Sequence, residues 1–290
     1  MRHPFQGGIA VFVPMLLLLP GMAFSQNART SAQSSNDRAS GLLENSLKDK
    51  NPETRTHAVE SLGLVSATEP WLSELQGMID DKDVEVRLAA IASLVDLKGS
   101  GTILTLLKAL DSNVPEVSFA AAKALWALNE PAGRDALFSV LDRETRSKSG
   151  FITKEKRDAL RMMHTPRTFF IFAVVESANL APVPGVGAGV SSLQGILFAP
   201  GVSGSAAAAL LLSTDHSPEV LKALQSALGD TDWTVRAAAV HAIAMRNDPA
   251  LEADLTPLFD DKKEAVRVRA AAGYLRLEAI RSAQLTVGQR

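Results

Sequence analysis

DDKDVEVRLAAIASL, residues 80–94, recurs in nearly the same form as GDTDWTVRAAAVHAI at 229–243 and DDKKEAVRVRAAAGYL at 260–275. A looser copy, DKNPETRTHAVESL, stands at 49–62. Each carries an Asp, an Arg six residues later and then a run of small apolar residues: Asp49 and Arg55, Asp81 and Arg87, Asp230 and Arg236, Asp261 and Arg267. Self-similarity at a period of about 20–50 residues is the signature of a repeat architecture. With the Arg as position zero, Ser118, Lys156 and Ser203 fit the same frame. Three residues on, all seven copies have alanine: Ala58, Ala90, Ala121, Ala159, Ala206, Ala239 and Ala270. Seven residues on come Leu62, Leu94, Leu125, Met163, Leu210, Ile243 and Tyr274. A small and a large apolar residue four apart share one helix face, which lets that helix pack closely against a neighbour on either side.

Upstream of each anchor lies a second amphipathic segment with leucines at helical spacing, as in WLSELQGMI (71–79), ILTLLKAL (103–110) and EVLKALQSAL (219–228). Each unit is therefore helix, tight turn, helix. Asn51, Asp83 and Asp232 stand where a side chain can cap the first free amides of the second helix. Pro52 and Pro115 suit the first helical turn, where a missing N–H costs nothing. The anchors are spaced by 32, 31, 38, 47, 33 and 31 residues, so the long intervals precede Lys156 and Ser203.

The acidic turn, Val-Arg and Ala-Ala pattern resembles the HEAT repeat family, in its short PBS-lyase-like form, over residues 41–280. The resemblance implies an all-α fold, an α-solenoid of about seven helix pairs wound as a right-handed superhelix. It also implies that the second helices line a concave surface that grips other proteins. A single helix pair cannot bury its apolar face alone, so stacked neighbours complete the core. At about 8–10 Å between helices, seven consecutive units make an arc on the order of 60–70 Å long. The repeated Asp and Arg are expected to form charge-assisted hydrogen bonds between adjacent turns, a structural ladder rather than a ligand site.

Outside the repeats, MRHPFQGG followed by IAVFVPMLLLLPGMA (9–23) and FSQ has the basic start, apolar stretch and small-residue site of a secretory signal peptide spanning 1–25. Cleavage after Ser25 exports the chain to the periplasm or the exterior; retention of the segment as an anchor is the alternative. Residues 26–40, QNARTSAQSSNDRAS, are expected to be a disordered polar spacer, and 281–290 a flexible tail. There is no cysteine, hence no disulfide and no thiolate ligand or nucleophile. Thirty basic against 32 acidic residues, a formal net charge of −2, give no electrostatic footprint for nucleic acid.

Residues 165–187, TPRTFFIFAVVESANLAPVPGVG, are an apolar insertion into the repeat frame. GVGAGV (185–190) has neither the last glycine of GxGxxG nor a following Lys-Ser or Lys-Thr, so it is not a phosphate loop. VSGSAAAALLL (202–212) instead continues the frame as the second helix of a fifth unit. Phe169, Phe170 and Phe172 within FFIFAVV either fold down as extra core or form an exposed patch that docks a partner. Peripheral membrane contact through the insertion is a further reading, although its longest apolar runs are too short to span a bilayer.

No catalytic or metal site is expected, and no cofactor. His57, His164, His216 and His241 show no HxH or HExxH spacing, and the paired acids Asp80/Asp81 and Asp260/Asp261 recur as turn chemistry. Trp126, next to Leu125, reads as core; Trp233 occupies a turn position and reads as a partly exposed contact residue. The polar second-helix residues His57, Glu60, Lys123 and His241 read as solvent-facing. The functional expectation is a non-enzymatic scaffold for a protein partner, with a lyase-like or enzyme-accessory role as the rival, because PBS-lyase-like repeats also occur in proteins that attach or remove bilin chromophores.

Overall fold

The structure is a computed structural model, which describes the backbone of residues 20–147 and 204–287 and the side chains of 34–141 and 204–287. The insertion at 165–187, with Phe169, Phe170 and Phe172, and the fourth anchor Lys156 lie outside the described residues. Two compact units are distinguished, residues 1–35 and 36–290, and the repeats belong to the second.

Every described element is helical. In chain order they are α1 (Pro20–Leu47), α2 (Pro52–Leu62), α3 (Trp71–Gly77), α4 (Val84–Leu97), α5 (Thr102–Leu110), α6 (Pro115–Ala127), α7 (Pro131–Ser147), α8 (Gly204–Leu211), α9 (Pro218–Ala227), α10 (Trp233–Met245), α11 (Glu252–Leu255) and α12 (Glu264–Val287), with short 3-10 turns between some of them. The pairs α1/α2, α3/α4, α5/α6, α9/α10 and α11/α12 are repeats one, two, three, six and seven. α7 opens the fourth repeat and α8 closes the fifth.

The local chemistry follows the frame. Asn51, Asp83 and Asp232 are N-caps whose side chains accept from the amides of Glu53, Glu85 and Thr234, and Pro52 and Pro115 open α2 and α6. The six described alanines at position three are fully buried, and Leu62, Leu94, Leu125 and Ile243 at position seven are too. These small residues let the second helices approach one another. Gly273 extends the device: a Cβ there would come within 3.1 Å of Ala244 and Leu255.

The order of stacking departs from the consecutive arc that the spacing suggests. The second helices pack in the sequence α8, α10, α12, α2, α4, α6, so repeat seven sits directly on repeat one. The seam between these two is polar as well as apolar. Thr54 Oγ1 and Ser46 Oγ donate to the carboxylate of Glu264 at 2.7 and 3.3 Å, and Arg276 Nη1 donates to Leu64 O at 3.0 Å. Arg38 on α1 pairs with Asp260 and lies over the Phe259 ring, 5.7 Å from its centroid.

Two further expectations are corrected. α1 runs through the 26–40 segment assigned to a disordered spacer; from residue 36 on, its cause is the i, i+4, i+8 row Ala39, Leu43 and Leu47, all buried against the repeats. The tail is helical as far as Val287, because no Gly or Pro interrupts α12 after Gly273 and Arg281 anchors it to Glu252 at 2.6 Å.

Candidate functional site

Two rungs of the turn ladder form, each between adjacent turns, at Arg55–Asp81 and Arg236–Asp261. Arg55 reaches forward from repeat one: Nε and Nη2 donate to Asp81 Oδ2 and Oδ1, both at 2.8 Å, while Nη1 donates to the carbonyls of Asp49 (2.9 Å) and Lys50 (3.1 Å) in its own turn. Arg236 repeats this, with Asp261 at 2.7 and 2.8 Å and the Asp230 carbonyl at 2.8 Å. Burial pushes the Asp81 and Asp261 carboxyls up, but the Arg bridges and a backbone amide outweigh it and hold both below the ordinary value. Arg267 closes only its own turn, on the Asp261 carbonyl at 2.8 Å. Arg87 bridges nothing, and its buried Nε has no hydrogen-bond partner.

Two of the second-helix residues expected to face a partner are covered. Glu60 and His241 are only 6% and 2% exposed. Glu60 lies between His57 Nδ1 (3.6 Å) and Arg269 (3.9 Å), the latter brought across the seam by α12. Burial brings the Arg269 guanidinium down to about 10, against the opposing pull of Glu60. Burial, then the charges of Arg269 and Arg276, hold His241 well below its usual value, so it is neutral, with no hydrogen bond to Nδ1. These groups build the interior of the seam and are unavailable to a macromolecule; His57 remains partly exposed at its rim.

Trp126 corrects the opposite error. Its indole is 49% exposed, on the outer side of α6. Three residues before it, Lys123 Nζ sits 5.3 Å from the centroid of the Phe119 ring, so Phe119, Lys123 and Trp126 form one row at i, i+4 and i+7. On the adjoining α7, Phe138 and Leu141 are 62% and 59% exposed. The two helices are pressed together at Gly133, where a Cβ would fall 2.3 Å from Trp126 N and 2.7 Å from Ala122 O. That spacing was present in the sequence: Trp126 is one residue, or 100°, past the core position Leu125 and in register with Phe119. Trp233 is half-buried at the start of α10, with Lys263 Nζ 5.8 Å from its ring centroid.

Among the described residues, no group of three or more His, Cys, Asp or Glu is placed to hold a metal ion, and no helix is long and apolar enough to cross a membrane. A shallow cleft of about 250 Å³ lies at the junction of repeats seven, one and two, lined by Ser40, Glu44, Thr68, Trp71, Leu275 and Glu278 among others.

No curated protein matches the chain. Among solved structures, human deoxyhypusine hydroxylase in complex with glycerol is similar at 17% identity, covering 86% of this chain and 99% of that one, with a TM-score of 0.31. A designed armadillo repeat protein is similar at 18% identity, covering 82% and 98%, with a TM-score of 0.24. The HEAT repeats family matches residues 68–148 and 201–276, more than half of the chain. Those matched stretches hold the turns capped by Asp83 and Asp232, the buried alanines from Ala90 on and the Arg236–Asp261 rung, and the chain belongs to the HEAT repeats family.

Proposed function

We propose that this chain is a non-enzymatic protein-binding scaffold of an exported compartment, and that it holds its partner on the α6–α7 edge. The observation that carries the reading is the exposure of Trp126, next to the Phe119–Lys123 pair and the apolar residues of α7. An exposed apolar cluster on a soluble stack marks an interaction site, and tryptophan is the residue most enriched where binding energy concentrates. HEAT-type stacks present extended surfaces of this kind because their repeats contact only neighbours and leave whole helix faces free. The segment 1–25 supports the exported setting through its signal-like pattern, and Trp233 offers a second contact point on the turn edge.

The test is Trp126→Ala and Phe138→Ser in the full chain. The protein captured by the wild type from its own compartment is purified, and its Kd for each variant is measured by titration. Truncating a half-exposed hot-spot tryptophan is expected to weaken binding by about thirtyfold, about 2 kcal/mol, with an unchanged melting curve. Full affinity in both variants refutes the assignment of the edge, and catalytic turnover by the purified chain overturns the scaffold reading.

A further inference from the structure

The ladder has a missing rung. Across the seam from repeat one to two, Arg55 holds Asp81 by two hydrogen bonds at 2.8 Å, and the buried Ser93 Oγ adds a bond to Val59 O at 3.2 Å. From six to seven, Arg236 holds Asp261 in the same two-pronged way. From seven to one, Glu264 takes Thr54 and Ser46. From two to three, the position of Asp81 and Asp261 is occupied by Ser112, and Arg87 has no acceptor. The turn of repeat three is also closed differently. Its anchor is Ser118, whose hydroxyl donates to Leu110 O at 2.7 Å, and its N-cap Val114 provides no side-chain cap. The polar links there include the Lys108–Asp80 pair at 2.5 Å, with both side chains 60% or more exposed, and a bond from Gln76 Nε2 to Ser100 O at 2.7 Å in the connection between the repeats. A pair so exposed contributes little.

We propose that the junction of repeats two and three is a compliant joint, created by Ser112 at the one ladder position where a carboxylate would have locked it to Arg87. The backbone is already in the right form for the lock. Ser112 Oγ accepts from Val114 N at 3.2 Å, as Asp81 Oδ1 accepts from Asp83 N and Asp261 Oδ1 from Lys263 N, each at 2.8 Å. An Asp at 112 therefore keeps the turn and presents its second oxygen to Arg87. The α6–α7 edge lies beyond this joint, so its tilt relative to repeats one and two is the motion a partner selects. That last consequence rests on the scaffold reading; the joint does not.

Hydrogen exchange on the free full chain tests it without a partner. Wild-type α6 is expected to exchange at least tenfold faster than α2 and α10, each of which carries the arginine of a complete rung. Ser112→Asp slows α6 about tenfold and leaves α10 unchanged, the size expected for charge-assisted hydrogen bonds to a partly buried guanidinium. Arg87→Met alone stays within twofold of wild type, because Arg87 bridges nothing; combined with Ser112→Asp it abolishes the slowing. The proposal is overturned if wild-type α6 exchanges as slowly as α2, if Ser112→Asp has no effect, or if it slows α6 equally without Arg87.

Discussion

Replacing Asp81 with alanine removes a carboxylate that does three things at once: it accepts from Arg55 Nε and Nη2 and from the amide of Asp83, all at 2.8 Å. Arg55 is 4% exposed and cannot turn to water, although its Nη1 keeps the carbonyls of Asp49 and Lys50. Removing one partner of a buried pair costs about 3–5 kcal/mol. Because half of the guanidinium stays satisfied, the lower end applies, about 3 kcal/mol for Asp81→Ala and about 1–2 kcal/mol for Asp81→Asn, which retains an acceptor. Urea denaturation at pH 7 reads this as a midpoint shift of about 1 M for Asp81→Ala, at an m-value of about 3 kcal/mol/M. A double-mutant cycle with Arg55→Met should give a coupling of about 2 kcal/mol.

The same pair fixes the sign of the acid response. Asp81 is held below its ordinary value of 3.8, so its contribution is complete above that pH and is lost as the pH falls through the lower, folded-state value. The difference between wild type and Asp81→Ala is therefore constant from pH 7 to about 5 and shrinks below 3.8. A cost under about 0.5 kcal/mol at pH 7, or strict additivity with Arg55→Met, would refute the assignment of the bridge as a structural tie between repeats.

Two other perturbations probe the seam and the contact edge. His241 is buried and neutral beside Arg269 and Arg276, while the unfolded chain takes up a proton below about 6.5; stability is then complete above that value and falls by about 1.4 kcal/mol on going to pH 5.5. His241→Leu should remove that component, seen as a smaller difference in Tm between pH 7.5 and 5.5, and an unaltered difference would show that the imidazole titrates freely when folded. Gly133→Ala puts a methyl 2.3 Å from Trp126 N, a backbone atom that cannot rotate away, and so should cost about 2–3 kcal/mol by splaying α7 from α6. Thermal melts check this, and a change of less than about 0.5 kcal/mol would mean that the two helices do not approach as described.

The repeat was legible because its determinants are local. A capping Asn or Asp, a proline at the first helical turn and an Ala–Leu pair four apart each state their own structure within one unit, and Asn51, Asp83, Ala90 and Leu94 did so without reference to anything distant. Burial on the second helices was less legible, since it depends on what lies across a seam. Glu60 and His241 look solvent-facing on their own helices and are interior because α12 brings Arg269 and Arg276 among them. The polar run before residue 41 concealed a helix for a related reason: only Ala39, together with Leu43 and Leu47 beyond the run, betrays the buried face.

Stacking order was the least legible property, because every second helix offers nearly the same alanine and leucine surface to either neighbour. What selects repeat seven as the neighbour of repeat one is a set of residues outside the shared pattern: Glu264 with Thr54 and Ser46, and Asp260 with Arg38. In a stack of consecutive repeats the first and last units are the ones that must present a polar outer face to water. Here those two units are interior, repeat seven packing on repeat one through α12 and α2. Glu264, Thr54 and Ser46, polar groups of the kind that a consecutive stack would turn to water at its ends, here tie a seam between repeats.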